Sequence, residues 1–263
     1  MTEPRPLALV TGASSGIGLE LARQFAEHGF DLVVNAEDAE LTTAAEQLRA
    51  TGTTVQAVQA DLRTPDGAQA LYDAVTATGR PLAAAALNAG VGKGGPFVEN
   101  PLEDELAIID LNVRSTVVLA KYVLRDMAAR GEGRVLFTSS IASTMPGPFQ
   151  AIYNASKSFV QSFAEALAAE LRDTGVTVTS LMPGPTDTEF FERGDLMDTK
   201  LGQGPKDDPA QVARQGFEAL MAGKDKVVGG SVMSKAQAAV NSVLPDRLKS
   251  AGHAKMAAPG SGK

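Results

Sequence analysis

Short apolar runs alternate with segments of helical periodicity along most of the chain. In the first such segment Ile17, Leu21 and Phe25 fall four residues apart and Gly29 follows, which predicts an amphipathic helix and its end. The apolar runs have too few polar positions to alternate cleanly, as is typical of parallel strands that are covered on both faces. The predicted strands are residues 7–10, 31–34, 55–60, 82–87, 134–140, 176–182 and 226–230.

Helices are predicted between these strands, including a long one over about 102–130 and another from about 150 towards Gly175. This β–α repetition predicts right-handed crossovers and an α/β fold with a doubly wound, mostly parallel sheet and helices on both faces. No shift in composition marks a boundary, so residues 1–252 are expected to form a single domain. The last residues, 253–263, end in APGSGK and are expected to be disordered.

Composition excludes several classes of function. The chain has 263 residues, a net charge of −7 and no cysteine, so disulfides, thiolate catalysis and cysteine-based metal sites are excluded. The two histidines lie far apart in sequence, and no metal site is predicted. Acidic proteins without a basic cluster bind nucleic acids and anionic membranes poorly. With no signal peptide and no apolar run long enough to span a bilayer, the sequence predicts a cytoplasmic protein.

A glycine-rich stretch, TGASSGIG (11–18), lies between the first predicted strand and the first helix. Glycine lets the backbone approach a ligand closely, and the N-terminus of the helix offers free N–H groups to a pyrophosphate. The spacing is GxxxGxG and differs from the common GxGxxG fingerprint. The alternative is a glycine-rich turn without a ligand, but the position after the first strand favours a nucleotide site.

Acidic residues follow the second predicted strand in the stretch NAEDAE (35–40). A carboxylate at this point can accept hydrogen bonds from the adenosine ribose and would repel a 2′-phosphate. No lysine or arginine occurs from residue 31 until Arg49, and Ser15 stands in the glycine loop. The sequence therefore favours NAD(H) as cofactor, with NADP(H) as the alternative. Glu37 and Asp38 could instead form a solvated helix start.

A tyrosine and a lysine lie four residues apart in AIYNASKSF (151–159). On a helix, Tyr153 and Lys157 would share one face. An ammonium group near a phenol favours the phenolate and lowers the tyrosine pKa from its usual value near 10, which suits a general acid/base. A motif of only two residues can occur by chance, however, so the pair alone does not identify a site.

Together, these and further short motifs resemble the short-chain dehydrogenase/reductase family, in its common single-domain branch with a Rossmann fold. The resemblance covers about residues 5–230. One departure is Leu87, where the family often has an asparagine, although Asn88 can still anchor the end of the strand. The motifs, in order, are TGASSGIG (11–18), DL (61–62), NAG (88–90), LN (111–112), SS (139–140), YNASK (153–157) and PG (183–184).

The resemblance implies a role for each matching residue. Tyr153 would be the general acid/base, Lys157 would also hold the nicotinamide ribose, and Ser140 would stabilise the substrate oxygen, with Ser139 as the less favoured candidate. Asn112 would hold a water molecule of a proton relay behind the lysine. Without the resemblance, Asp61 could be a helix cap, Asn112 a surface amide and Ser140 a turn residue. The implied cofactor contacts are Gly12, Ser14, Ser15, Gly16, Ile17, Gly18, Glu37, Asp61, Leu62, Asn88, Ala89, Gly90, Tyr153, Lys157, Pro183, Gly184, Thr186 and Thr188.

A long segment, residues 186–207, separates the sixth strand from the next helix. Long loops in compact domains are usually functional, so a substrate lid with Phe190, Phe191, Leu196 and Met197 is predicted. The alternative is a surface loop whose short helix packs into the core. Few charges lie in residues 141–150, which favours an uncharged, fairly apolar alcohol or carbonyl substrate. The substrate itself and the physiological direction of the reaction are not determined by the sequence.

Residues 233–252 form a short, mildly basic segment interrupted by Pro245. This segment is expected to pack on the domain or on a neighbouring subunit instead of on a membrane. The resemblance also implies a homodimer or homotetramer, paired through the helices at 102–130 and 150–174. The leading hypothesis is therefore an NAD(P)-dependent alcohol dehydrogenase or carbonyl reductase. The alternative is a non-catalytic NAD(P)-sensing regulatory protein on the same fold.

Overall fold

In the computed structural model, which describes residues 4–263, the seven predicted strands lie parallel in one sheet. The strands are β1 (Leu7–Thr11), β2 (Asp31–Ala36), β3 (Val55–Gln59), β4 (Leu82–Leu87), β5 (Gly133–Thr138), β6 (Val176–Pro183) and β7 (Lys226–Gly229). Their order across the sheet is β3-β2-β1-β4-β5-β6-β7. The chain reverses its direction of winding between β1 and β4, which opens a crevice at the carboxyl ends of these strands. The doubly wound fold is confirmed.

Helices connect the strands and cover both faces of the sheet. They are α1 (Gly16–Glu27), α2 (Glu40–Arg49), α3 (Pro65–Ala77), α4 (Leu102–Ile108), α5 (Thr116–Arg130), α6 (Ala151–Glu170), α7 (Phe190–Arg193), α8 (Lys200–Gln203), α9 (Pro209–Met221), α10 (Val232–Val243) and α11 (Asp246–Ala257). Local sequence sets several ends. Thr64 caps α3 by accepting a hydrogen bond from the Gly67 N–H, and proline follows it at the first helical position. α5 ends at Gly131, whose φ of 77° is accessible to glycine at little cost.

Two apolar layers, one on each face of the sheet, form the core. Alternate residues of β1 enter different layers: Ala8 and Val10 pack with α1 and α9, whereas Leu7 and Leu9 pack with α3, α5 and α6. Successive strand residues point to opposite faces, so a strand covered on both sides must be apolar throughout. This explains why the apolar runs of the sequence lack alternation.

The helix predicted over about 102–130 is interrupted in the structure. It consists of α4, a π-helical segment (Ile109–Ser115) and α5. Such segments insert an extra residue into a helical turn and often occur at functional sites. The helix that carries Tyr153 also ends earlier than predicted, at Glu170, and a turn connects it to β6.

The C-terminal residues differ from the expectation of disorder for 253–263. Residues 253–257 complete α11, and the backbone beyond it is bonded to the segment that precedes α8. The N–H groups of Gly262 and Gly260 donate to the carbonyl and the carboxylate of Asp198, at 2.9 and 2.8 Å. The hydroxyl of Ser261 accepts from the Lys200 N–H at 3.0 Å. The tail is ordered because its polar backbone finds partners on the domain.

Among residues 4–263, no helix combines the length and the apolar character needed to cross a bilayer. Within that range, histidine, aspartate and glutamate side chains form no group of three that could hold a metal ion.

Candidate active site

A cavity of about 820 Å³ opens at the carboxyl ends of the central strands. Its walls contain every residue predicted to contact the cofactor and three of the four predicted catalytic residues, Ser140, Tyr153 and Lys157. Asn112 is the exception and lies one layer behind the wall. The volume is within the range of small-molecule and cofactor sites.

The glycine loop forms a cradle that side chains would fill. Gly12 and Gly16 have φ of 67° and 56°, in the left-handed region that favours glycine. A Cβ atom on Gly18 would overlap the carbonyl oxygen of Gly12. No side chain caps the first turn of α1, whose cap residue is Ser15. Free N–H groups and an open backbone are the features that a pyrophosphate requires, so the cradle fits a dinucleotide.

An arginine that the sequence analysis missed lies among the acidic groups at the end of the cavity that Glu37 and Asp61 line. Arg63 pairs with Glu37 and donates from Nε to Asp61 at 2.9 Å. Hydrogen bonds from Arg63 hold the pKa of the Asp61 carboxyl below its usual value, although burial opposes this. Asp61 therefore caps no helix, because Thr64 caps α3. Arg63 lies outside the stretch 31–49, in which the sequence has no basic residue before Arg49. It follows β3, and the pairing of β3 with β2 brings it beside Glu37.

The predicted lid reaches the same end of the cavity. Asp38 accepts a hydrogen bond from the Ser14 hydroxyl at 3.0 Å and lies 3.7 Å from Arg193 of α7. Arg193 also pairs with Glu189 at 2.7 Å, and the Ser15 hydroxyl approaches Glu189 at 3.5 Å. The segment predicted as a lid therefore bridges the glycine loop and the acidic stretch, and its sequence gave no sign of these contacts.

Asn88 holds three strand ends together beneath the cavity. Its amide nitrogen donates to the Thr11 carbonyl at 3.2 Å, and its amide oxygen accepts from the Thr138 hydroxyl at 2.9 Å. Leu87 is buried in the core. One asparagine therefore anchors β4 to β1 and β5 without a second asparagine at position 87.

Tyr153 and Lys157 share one face of α6, with the ammonium 5.9 Å from the centre of the phenol ring. The Lys157 ammonium is buried and donates to the Thr138 carbonyl at 2.9 Å. Ser140 lies beside the phenol, and its hydroxyl also accepts from the Ala142 N–H at 3.1 Å. Ser139, the less favoured serine, donates instead to the Lys157 carbonyl at 3.1 Å.

The predicted lowering of the Tyr153 pKa by Lys157 is not found in the structure. Burial raises the pKa of Tyr153 to about 12, and a hydrogen bond with Ser140 opposes the rise only in part. Burial also lowers the pKa of Lys157 to about 8. Desolvation disfavours the charged form of each group, and it outweighs the attraction expected from their spacing on the helix.

The low pKa of Lys157 predicts a pH-dependent stability. Between about pH 8 and the usual lysine value of 10.5, the unfolded chain binds more protons at this residue than the folded chain does. The contribution of Lys157 to the free energy of unfolding should therefore rise with pH across this window. We expect the free energy of unfolding of the wild type to gain about 3 kcal/mol over that of Lys157→Met between pH 7 and pH 10.5. Urea denaturation over the pH range measures this gain.

Lys121, which is exposed on α5, provides the matched control. The difference in the free energy of unfolding between the wild type and Lys121→Met should stay constant over the same pH range. A constant offset for Lys157→Met as well would show that the buried ammonium does not titrate in this window.

The π-helical segment places Asn112 behind the cavity wall. The Asn112 side chain bonds to both backbone groups of Val91, accepting at 2.9 Å and donating at 2.9 Å, and donates to Ser156 at 3.0 Å. A Cβ atom on Gly90 would lie 3.1 Å from both the Asn112 amide oxygen and the Lys157 ammonium nitrogen. Asn112 is therefore a buried neighbour of Lys157 and is not a surface amide.

The segment predicted as a lid divides its apolar side chains between two roles. Phe190 lines the cavity with its ring 5.0 Å from that of Tyr153, and Phe191 lines it from a buried position. Leu196 is fully buried in the core, whereas Met197 is exposed and does not line the cavity. The segment thus both lines the cavity and packs into the core, and its role as a substrate lid stays a prediction.

The C-terminal helices complete the cavity, which the sequence analysis did not predict. Residues 233–252 pack on the domain as expected, and α10 contacts the turn that follows Ser140. Lys249 of α11 donates to the Thr144 carbonyl at 2.7 Å and thereby fixes the helix over the cavity. The side chains that α10 and α11 contribute to the wall include Asn241, Leu244, Leu248, His253 and Met256.

Comparisons with known proteins agree with this geometry. The family model described as short chain dehydrogenase matches residues 6–197. A curated relative, short chain dehydrogenase MYCFIDRAFT_6125 of Pseudocercospora fijiensis, is 33% identical over 195 residues. That match covers 73% of this chain and 63% of the relative.

Solved structures show the same similarity over longer stretches. A short-chain dehydrogenase from Sphingobium yanoikuyae in complex with NADPH is 27% identical, with a TM-score of 0.80 over 91% of this chain and 96% of the other. A short chain dehydrogenase/reductase from Burkholderia phymatum in complex with NAD is also 27% identical, with a TM-score of 0.78 over 87% and 90% of the two chains. Similar structures thus bind either nicotinamide cofactor.

Proposed function

The chain belongs to the short-chain dehydrogenase family, a family of nicotinamide-dependent oxidoreductases, and we propose that it interconverts an uncharged, fairly apolar alcohol and its carbonyl compound. The observation that carries the proposal is the convergence of Tyr153, Ser140 and Lys157 beside the glycine cradle. One cavity then contains a proton donor, a hydrogen-bond donor for a developing oxyanion and a buried cation, next to the proposed nucleotide site.

Tyr153 is the proposed general acid/base. At neutral pH its phenol is protonated, because burial raises its pKa to about 12, so it is ready to donate a proton to a carbonyl oxygen. A bound nicotinamide cofactor supplies or accepts the hydride. In the oxidative direction Tyr153 must accept the proton instead, and positive charge beside the phenol makes this easier.

Ser140, Lys157 and Asn112 support this proton transfer. Ser140 donates a hydrogen bond to the substrate oxygen as charge develops there, a preorganised contact of the kind that lowers the barrier. Lys157 keeps a positive charge near the phenol and is positioned to bind ribose hydroxyls. Asn112 is buried next to Lys157 and orients the relay that returns protons from solvent.

NAD(H) is the proposed cofactor. The carboxylates of Glu37 and Asp38 line the adenosine end, where they favour ribose hydroxyls and disfavour a 2′-phosphate. Arg63 does not reverse this preference, because its guanidinium already pairs with Glu37 and Asp61. Glu37 thus contributes in two ways. Its carboxylate repels the 2′-phosphate of NADP(H), and it pairs with Arg63, the cation that could otherwise bind that phosphate.

Titration of the purified protein with NADH and NADPH, followed by nicotinamide fluorescence, tests the proposal first. Tighter binding of NADH is expected, and oxidation of NADH by a panel of ketones should follow. Tighter binding of NADPH would contradict the assignment of Glu37 and Asp38. Binding of NADH without turnover of any ketone or alcohol would favour the alternative of a nucleotide-sensing protein.

We also propose a homodimer or homotetramer that pairs through α4 and α6. Adjacent residues of these helices and of the π-helical segment expose large apolar side chains, namely Leu102, Leu106, Ile109 and Phe159. Contiguous apolar surface of this kind is typical of a subunit interface. Sedimentation of the wild type should show an oligomer, and Leu106→Lys should dissociate it. Val243→Lys, at an apolar and more exposed position on α10, is the control that should not; a monomeric wild type would refute the pairing.

A further inference from the structure

Two buried carboxamides line the cavity with amide nitrogens that have no partner. Gln150 is 2% exposed and Asn241 is 7% exposed, and both lie on the cavity wall. Neither Gln150 Nε2 nor Asn241 Nδ2 has a hydrogen-bond partner in the part of the chain whose side chains the structure describes. Buried polar groups are nearly always bonded, because an unpartnered donor loses its hydration without compensation. Two such donors in one cavity therefore indicate a ligand that accepts hydrogen bonds.

The backbone of Gln150 makes its hydrogen bonds without the carboxamide. The Gln150 N–H donates to the Gly147 carbonyl at 3.0 Å, and the Gln150 carbonyl accepts from the Asn154 N–H at 3.0 Å. Gln150 is the cap residue immediately before α6, three residues before Tyr153, yet its side chain makes no capping hydrogen bond. Asn241 lies in the last turns of α10, which packs against the turn after Ser140.

Two basic residues on the same wall, Lys249 and His253, already bond to groups of the protein. Lys249 donates to the Thr144 carbonyl and pairs with Asp246 at 2.8 Å. The ring of His253 is bonded to the Pro148 carbonyl at 3.1 Å, and burial lowers its pKa, which favours the neutral form. Lys200 and Lys255 are exposed to solvent. A neutral acceptor oxygen therefore matches the two carboxamides better than an anion does.

We propose that Gln150 and Asn241 are substrate-binding residues that donate hydrogen bonds to a second, uncharged oxygen of the substrate. The substrate is then a carbonyl compound that also carries an acceptor such as an ester, of the class of the oxo esters. Tyr153 and Ser140 contact the reacting oxygen, and the two carboxamides contact the other one. This inference rests on the proposed function and refines its substrate class.

The test compares an oxo ester with a simple ketone of the same chain length. The ratio of kcat/KM for the two compounds is measured in the wild type and in Gln150→Met and Asn241→Leu, which retain bulk but lose the donor. The intrinsic reactivities of the two carbonyls cancel when these ratios are compared between variants. We expect each substitution to lower the ratio about 10-fold, mainly through a higher KM for the oxo ester, with the simple ketone little affected.

Matched controls separate this role from a structural one. Gln69→Leu, at an exposed position of α3 that does not line the cavity, should leave the ratio unchanged. NADH affinity and the melting temperature should remain close to those of the wild type in all three variants. Ratios equal to that of the wild type in both cavity variants would overturn the inference while leaving the proposed function intact. Failure of the wild type to turn over either compound with NADH or NADPH would overturn both.

Discussion

Replacing Tyr153 by phenylalanine should lower ketone turnover by about 10²–10⁴-fold, the contribution typical of a positioned general acid. The substitution keeps the ring that lies 5.0 Å from Phe190 and removes only the hydroxyl beside Ser140. Since the glycine cradle and the acidic adenosine end are untouched, the affinity for NADH should change little. Steady-state kinetics and fluorescence titration measure the two quantities separately.

The chain offers a matched control for this substitution. Tyr122 lies on α5, away from the cavity, and its hydroxyl donates to Gln69 at 3.1 Å. Tyr122→Phe removes an equivalent hydroxyl and should leave turnover unchanged. Turnover retained in Tyr153→Phe would refute the assignment of the general acid/base, and loss of NADH binding would assign the tyrosine a role in cofactor binding instead.

The second large effect is expected on cofactor preference. The double substitution Glu37→Ser, Asp38→Arg should shift the ratio of the NADPH and NADH dissociation constants towards NADPH by about 100-fold, as expected for a gained charge-assisted contact and a lost repulsion. The change removes two carboxylates, introduces a guanidinium and releases Arg63 from its pairing with Glu37. Fluorescence titration with both cofactors measures the ratio.

A third acid of the same stretch serves as the control. Glu40 begins α2 and does not line the cavity, so Glu40→Ser should leave the ratio unchanged. The single variant Glu37→Gln tests the part played by Arg63, because it keeps the size of the side chain and frees the arginine. An unchanged ratio in the double variant would mean that the adenosine ribose does not meet this part of the wall.

Local sequence largely determines where the strands and the glycine loop lie along the chain. The five inner strands of the sheet are short apolar runs because both of their faces are covered, and each glycine of TGASSGIG lies where a side chain would be strained or would collide. Such constraints act within a few residues of one another. They are therefore visible in the sequence as patterns, and the seven strands and the position of the glycine loop could be predicted.

The residues that the sequence analysis missed come from distant parts of the chain. Arg63 pairs with Glu37 across 26 positions, and Arg193 of the lid lies beside Asp38. Neither arginine belongs to a motif, and neither spacing follows a helical or strand period. The same holds for α10 and α11, whose side chains become cavity wall because the helices pack on distant parts of the domain, with Lys249 and His253 bonded to the loop before α6.

The sequence by itself determined the parallel sheet, the glycine cradle and the alignment of Tyr153 with Lys157 on one helical face, because all three depend on short-range periodicity and backbone freedom. The tertiary structure decided the electrostatics of the site. Burial raises the pKa of Tyr153 and lowers that of Lys157, the reverse of the tyrosine shift that spacing alone predicted. Desolvation depends on every atom packed around a group, and most of those atoms belong to residues far away in the chain.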